Sequence, residues 1–308
     1  MSEINFLKRS EIDGHQWNAL INTSAQSLPY AYTWYLDAIA EHWDALVMGN
    51  YEAVMPLVWL RKLGVKCLYQ PYYCQQLGFF SRSDLTAQQA ENFITTATKK
   101  FPYININLNP SAIVVAGNSG FTSKRNLLLK LDAGYAKNKK SFAESHRRNI
   151  GKAEKAGLHL TGSTELKTFQ KFYLGNINPE KENFKPKHEK IFNALSQAIL
   201  SEKKGEIITI VDKDENTAAA SLLIHHQNRI INIINTSSPS GKRTGASHLL
   251  FDRIIEKLSG TGKVFDFEGS SIPGVARFYE GFGAKEEVFY NYRDTILKNP
   301  GKRFLSLV

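Results

Sequence analysis

The alternation of apolar and polar residues predicts one order of helices and strands that occurs twice along the chain. The first half contains, in order, helix Tyr32–Glu41, strands Ala45–Met48, Ala53–Leu60 and near Val65–Gln70, helix Thr86–Lys100, and strands Tyr103–Leu108 and Arg125–Leu131. The second half contains helices Glu165–Leu174 and Lys187–Glu202, strands Ile207–Val211, Ala218–His225 and Arg229–Asn235, helix Ala246–Leu258, strand Val264–Glu268, helix Val275–Glu280 and a strand near Val288–Leu297. The halves align by pattern at an offset of about 160 residues. Each half is predicted to form a mixed, mostly antiparallel sheet with flanking helices, which is an α/β fold.

The repeat divides the 308-residue chain into two domains of ordinary size. We predict an N-terminal domain over residues 1–135 and a C-terminal domain over residues 158–308, joined by a basic helix within residues 136–157. In this helix Arg148, Lys152 and Lys155 recur at helical spacing and share one face. That face is either the solvated side of a linker helix or a contact for phosphate groups of a substrate.

Composition adds information mainly through charge. The net charge is +10, and a basic surface attracts anions such as a phosphorylated cofactor, a nucleotide-linked substrate or tRNA, although a merely solvated surface has the same composition. The chain has no apolar run of membrane-spanning length, no signal peptide and only two cysteines, so we expect a cytoplasmic protein without membrane insertion. His225 and His226 point to opposite faces of a strand, and no metal site is predicted. The oligomeric state is not predicted.

A turn rich in glycine and serine, residues 236–245, leads from a predicted strand into the helix Ala246–Leu258. Free backbone amides at the start of a helix and small residues before it make such a turn a cradle for anions, and Lys242 and Arg243 add positive charge. The alternative is an ordinary turn in which Thr244 caps the helix.

Acidic and phenolic groups follow in the second half. Asp266 and Glu268 share one face of a strand that ends beside Gly269, where a carboxylate could take a proton from an incoming ammonium group. The alternative is a solvent-facing end of the sheet. The equivalent strand of the first half, residues 106–109, offers amides instead, so only the second half is equipped for proton transfer. Tyr279 is either a proton donor to a leaving group or a core tyrosine.

Five motifs occur in a characteristic order: Ala53-Val-Met-Pro-Leu57, Gln75-Gln-Leu-Gly78, Arg147-Arg-Asn-Ile-Gly-Lys-Ala-Glu-Lys-Ala-Gly157, Phe265-Asp-Phe-Glu-Gly-Ser270 and Gly274-Val-Ala-Arg-Phe-Tyr-Glu-Gly-Phe-Gly283. Residues 218–284 resemble the acetyl-CoA-binding core of GNAT acyltransferases. Over nearly its full length the chain resembles the FemABX-like branch, in which two GNAT-like units are fused, in its form without a long helical arm.

The resemblance implies an N-acyltransferase, with acetyl-CoA or another acyl-CoA as donor and an amine as acceptor. It places the phosphate loop at Lys242, Arg243, Thr244, Gly245, Ala246 and Ser247. Gly245 matches the family pattern, whereas Lys242 and Ser247 depart from it. The resemblance also implies that a backbone amide from residues 229–235 polarises the donor carbonyl. Glu268, with Asp266 beside it, is the implied base, and Tyr279 is the implied acid.

Three functions therefore stay open. The first is an acyl-CoA-dependent N-acyltransferase, which the partial match of residues 242–247 to the phosphate loop favours. The second is a FemABX-type aminoacyltransferase that moves an amino acid from aminoacyl-tRNA to the amine of a cell-wall precursor, with Arg148, Lys152 and Lys155 as substrate-binding cations. The third is a non-catalytic binding module with a degenerate GNAT site, which the altered phosphate loop favours.

Overall fold

Two compact units make up the molecule. The computed structural model describes residues 3–162, 164–180, 183–269 and 272–295. The first unit consists of residues 1–124 together with residues 288–308, and the second consists of residues 125–287. This division differs from the boundaries predicted near residues 135 and 158, because the strands that close each predicted half cross from one unit into the other.

The elements alternate along the chain much as the pattern predicts. Up to residue 130 they are β1 (Ile4–Lys8), α1 (Gly14–Thr23), α2 (Thr33–Ile39), β2 (Trp43–Met48), β3 (Ala53–Lys62), β4 (Val65–Tyr69), β5 (Phe80–Ser81), α3 (Ala87–Lys100), β6 (Tyr103–Leu108) and β7 (Phe121–Lys130). The remainder are α4 (Tyr135–Lys140), α5 (Glu144–Lys155), β8 (His159–Leu160), α6 (Leu166–Asn176), α7 (Pro186–Ser201), β9 (Gly205–Val211), β10 (Thr217–His226), β11 (Arg229–Ser237), α8 (Pro239–Thr244), α9 (Ala246–Leu258), β12 (Val264–Asp266), α10 (Pro273–Glu280) and β13 (Lys285–Thr295).

The first unit is built on a sheet with the strand order β1-β2-β3-β4-β6-β13, and β5 pairs with β3 at one side. The pair β4 and β6 is parallel, whereas the other strand pairs are antiparallel. Strand β13 pairs with β6 through Tyr290–Thr295, so the last predicted strand of the second half closes the sheet of the first unit. Its predicted end near Leu297 lies outside the described residues.

The second unit repeats this plan with the strand order β7-β12-β11-β10-β9-β8. Here β11 and β12 form the parallel pair, and β12 pairs antiparallel with β7 through Leu128–Lys130. A mixed, mostly antiparallel sheet is therefore present in each unit, which confirms the predicted fold class. None of the helices in the described part of the chain is long and apolar enough to cross a membrane.

Local sequence explains where the main helices begin and which face they bury. Helix α3 starts after Thr86, whose hydroxyl accepts from the amide of Gln89 while the Gln89 side chain accepts from the amide of Thr86. In α9 the side chains of Leu250, Ile254 and Leu258 are buried at helical spacing, as predicted. They join β7, α5 and α10 in one apolar core of the second unit.

Candidate active site

The two parallel strands of the second unit separate at their carboxyl ends. Strand β12 pairs with β11 only from Arg229 to Ile231, whereas β11 continues to Ser237 alongside β10. The chain then passes into α8 and α9 after β11, and into α10 after β12. Ligands of open α/β sheets bind beyond the carboxyl ends of parallel strands where the connections diverge, so this opening is the candidate site.

Strand β11 carries an irregularity at the opening. Leu222 of β10 pairs with Ile234 and Leu223 pairs with Asn232, so Ile233 is an extra residue without a partner on β10. Such a bulge interrupts the hydrogen-bond ladder and leaves backbone groups available to other partners. It lies within the segment 229–235 that is predicted to supply an amide to the donor carbonyl.

The end of β12 is a tight corner at Glu268. This residue has φ 53°, in the left-handed region that residues other than glycine and asparagine rarely adopt. Its backbone amide donates to Oδ1 of Asp266 at 2.8 Å. The next amide, that of Gly269, donates to Oδ1 of Asn126 at 2.8 Å. A Cβ atom on Gly269 would lie 2.7 Å from Cα of Asn126, so the corner requires glycine there.

An ion pair between Arg229 and the buried Asp266 supports this corner. The guanidinium group of Arg229 donates to Oδ2 of Asp266 at 2.9 Å and to Oε1 of Glu287 at 3.0 Å. Asn126 donates to the same Oδ2 at 3.1 Å. Burial raises the pKa of the Asp266 carboxyl, and the positive charge of Arg229 opposes that rise. Asp266 is only 1% exposed and fully engaged, so it is placed to hold Glu268 rather than to touch a substrate.

Tyr279 lies at the same opening. It is 6% exposed on α10, and its ring packs 4.8 Å from that of Phe267. The side-chain amide of Asn235, from β11 beyond the bulge, donates to the Tyr279 hydroxyl at 3.4 Å. Burial raises the pKa of Tyr279 to about 12, and the charge of Glu268 adds to the rise. The phenol therefore keeps its proton at neutral pH and lies near a carboxylate, which suits a proton donor.

The predicted glycine- and serine-rich turn is only partly a turn, and this prediction needs correction. Residues 239–244 form helix α8, because Pro239 occupies its first position and the Ser238 hydroxyl caps the amide of Gly241 at 3.0 Å. Gly245, with φ 88°, joins α8 to α9. Thr244 does not cap α9, since its hydroxyl donates to the carbonyl of Ser240 at 3.0 Å.

The remaining residues of the predicted phosphate loop have different surroundings. Lys242 and Arg243 are exposed, whereas Ala246, the first residue of α9, is buried. Ser247 forms a hydroxyl–hydroxyl hydrogen bond of 2.5 Å with Ser237 at the end of β11. The loop thus offers two exposed cations and the start of a long helix, with Ser247 tied to the strand that bounds the opening.

Helix α5 presents the predicted basic face. Arg148, Lys152 and Lys155 are all exposed, while His146, Ile150 and Ala153 are buried. Helical spacing alone would place Ala156 on the buried face, but Ala156 is exposed because it lies at the end of the helix.

No group of histidine, cysteine and acidic side chains in the described ranges could hold a metal ion. Both cysteines, Cys67 and Cys74, are buried.

Sequence reasoning missed three residues that build the site. They are Asn126, Arg229 and Glu287, which hold the Glu268 corner through Asp266 and Gly269. Asn126 lies on β7, 140 residues before Asp266, and no local pattern connects the two positions. The one available signal was Arg229, which begins the predicted strand over residues 229–235, whose other residues are all apolar or asparagine.

Comparison with known proteins supports the fold. No family model matches the sequence, and no curated protein sequence matches it. The solved structure of FemX resembles the chain with a TM-score of 0.68 at 12% identity, covering 99% of both chains. A tandem GNAT protein from the clavulanic acid biosynthesis pathway, solved without AcCoA, gives a TM-score of 0.55 at 11% identity and covers 94% of this chain and 98% of its own.

A third structure has a related fold. It is the C-terminal domain of a putative lysylphosphatidylglycerol synthetase from Agrobacterium fabrum, with a TM-score of 0.60 at 14% identity, covering 96% of this chain and 94% of that one. At these identities the comparisons establish the fold alone. The chain has the GNAT fold in the FemX-like form that its motifs predicted.

Proposed function

We propose that the second unit transfers an acyl or aminoacyl group from an activated ester or thioester to an amine. The observation that carries this proposal is the opening between β11 and β12, where Asn235 of β11 contacts the Tyr279 phenol and β12 ends in the Glu268 corner. The left-handed backbone of Glu268 supports it further, because such strain persists where surrounding structure imposes it and is concentrated at functional sites.

The proposed chemistry needs one base and one acid. Glu268 takes a proton from the incoming ammonium group, directly or through water, and the free amine attacks the donor carbonyl carbon. The bond from that carbon to sulfur or oxygen then breaks. Tyr279 gives its proton to the leaving atom and regains one from the new amide nitrogen, so one proton is released overall. The bulge at Ile233 is the proposed source of a backbone donor to the carbonyl oxygen.

An acyl-CoA is the first candidate donor. Arg243 is exposed beside the start of α9, whose first amides and dipole favour a phosphate. Aminoacyl-tRNA is the second candidate, and the exposed cations of α5 favour it, since three of them share one helix face. The FemX-like fold agrees with the second candidate, and the tandem GNAT neighbour agrees with the first. An amine acceptor and a cytoplasmic location are part of the same proposal.

The first test compares CoA, acetyl-CoA and bulk tRNA by thermal shift. A ligand present at about 100 times its Kd stabilises the folded state by about 2.7 kcal/mol, which corresponds to several degrees for a unit of this size. Stabilisation by acetyl-CoA selects the first donor, and stabilisation by tRNA selects the second. If none of the three shifts the melting point, the donor assignments fail and the non-catalytic binding module is the better account.

The second test addresses catalysis with the donor so identified. Tyr279→Phe is expected to slow transfer to a pool of amines at least tenfold while donor affinity stays unchanged. Tyr292→Phe is the matched control, because Tyr292 is equally buried at 6% and burial likewise raises its pKa to about 12, but it belongs to the first unit. Equal rates for wild type and Tyr279→Phe would refute the acid role.

A further inference from the structure

A cavity of about 490 Å³ opens in the second unit between the end of α6 and the start of α8. Its volume lies in the range of roughly 300–1,000 Å³ that small-molecule sites occupy. Pro239, which lines the cavity, follows two residues after the end of β11, so the cavity adjoins the strand that bounds the candidate active site. None of the residues assigned to the base or the acid lines it.

The charged side chains that line the cavity in the described part of the chain come from two segments and have opposite sign. Glu180 follows α6 and supplies a carboxylate, and Asn176, at the carbonyl end of α6 with its partial negative charge, also lines the cavity. Lys242 of α8 supplies an ammonium group. Both side chains are exposed, and no ion pair joins either of them to another side chain in the described ranges.

The rest of the lining is apolar or amide. Ile177, Pro179 and Pro239 provide hydrocarbon surface, and Asn176 provides an amide whose nitrogen donates to the carbonyl of Phe172 at 2.8 Å. One carboxylate, one ammonium group and an apolar wall offer a partner to each charge of a ligand that is both cationic and anionic.

We propose that this cavity binds a zwitterionic amino acid, with its ammonium group at Glu180 and its carboxylate at Lys242. A phosphorylated ligand would place its charge against Glu180 and the carbonyl end of α6. A diamine would place a second cation against Lys242. Only a zwitterion finds a partner of opposite sign at both positions, and charge-assisted hydrogen bonds of this kind are the strong ones.

The cavity goes beyond the proposed function, because an ammonium group that Glu180 holds is not the one that Glu268 would deprotonate. It also changes the role expected of Lys242. The sequence pattern assigned Lys242 to the donor phosphates, whereas its place in this cavity assigns it to the bound amino acid, and Arg243 is left as the cation for the donor.

The test measures binding by calorimetry, without any turnover. L-Alanine and L-lysine are each compared with the amine that lacks the carboxylate and with the acid that lacks the amino group. At least one amino acid is expected to bind, and each single-charge analogue is expected to bind about tenfold more weakly or worse. Glu180→Gln and Lys242→Met should each produce a similar loss.

Controls at exposed positions of the same unit that do not line the cavity make the losses interpretable. Glu202→Gln and Lys213→Met remove the same charges from the surface and should leave affinity unchanged. The inference is overturned if neither amino acid binds, if the decarboxylated amine binds as well as its parent, or if both cavity variants retain wild-type affinity. Amino-acid binding without any acyl transfer would instead contradict the proposed function and leave the site itself established.

Discussion

Replacing Gly245 by alanine tests whether this glycine serves the packing of α9. Gly245 has φ 88°, and for a residue with a Cβ atom the left-handed region costs about 1–2 kcal/mol. The new Cβ would lie 2.6 Å from the carbonyl oxygen of Asn149 and 3.7 Å from Cβ of Ala153, both on α5. The first contact is too short, so α5 and α9 must move apart.

The expected cost follows from these two effects. Overpacking against backbone costs about 1–3 kcal/mol, and the stiffer unfolded chain of the alanine variant returns about 0.4–1 kcal/mol. Together with the backbone cost, the net loss is about 1–4.6 kcal/mol and is centred near 3 kcal/mol, or a fall in Tm of roughly 10 °C for a unit of this length. Urea denaturation followed by circular dichroism measures it directly.

Gly260→Ala is the matched control for this experiment. Gly260 has φ 76°, but nothing lies within 4 Å of the position that a Cβ atom would take, so the variant carries the backbone cost without the packing cost. If Gly245→Ala is no more destabilised than Gly260→Ala, the contact with α5 does not constrain the glycine. If the two helices do move apart, weaker donor binding in Gly245 variants reports a displaced helix as well as lost phosphate contact, and Arg243→Met is the cleaner probe of the donor site.

Three further predictions concern other parts of the molecule. Gln76→Met should raise the Tm, with at most about 1 kcal/mol gained, because it removes Oε1, which is buried without a hydrogen-bond partner among the described residues, but also loses the bond that Nε2 donates to Oε1 of Gln75 at 2.8 Å; a lower Tm would contradict this. Burial lowers the pKa of His248 from 6.5 to about 4, so unfolding takes up a proton between these two pH values. The free energy of unfolding should therefore fall by at most about 3 kcal/mol as the pH drops from 6.5 to about 4, and it should fall by less in His248→Gln. If α5 binds tRNA, Arg148→Glu with Lys152→Glu should reduce the slope of log affinity against log salt by about 2, whereas identical slopes would exclude contact through these cations.

The element order and the candidate site residues could be predicted from sequence because they depend on local pattern. Helix Ala246–Leu258 and strand Tyr103–Leu108 have the predicted bounds, since helical and strand periodicity are properties of a few consecutive residues. Tyr279 and Glu268 could be singled out in the same way, because they belong to motifs in which spacing along the chain sets position. Helix α8 was missed because its six residues are too few to show a period.

Only the tertiary structure decided how strands pair and which of the two acidic groups the ion pair with Arg229 engages. Strand β13 closes the first unit and the end of β7 joins β12 in the second, and an alternating strand pattern is the same whichever partner it meets. By sequence alone Asp266 and Glu268 are equivalent in position, since both lie on the same face of one predicted strand. Burial beside Arg229 engages Asp266 in an ion pair and turns the chain so that Glu268 follows it in a left-handed corner. That distinction depends on Asn126 and Arg229, which are far from the strand in sequence and reach it only when the chain folds.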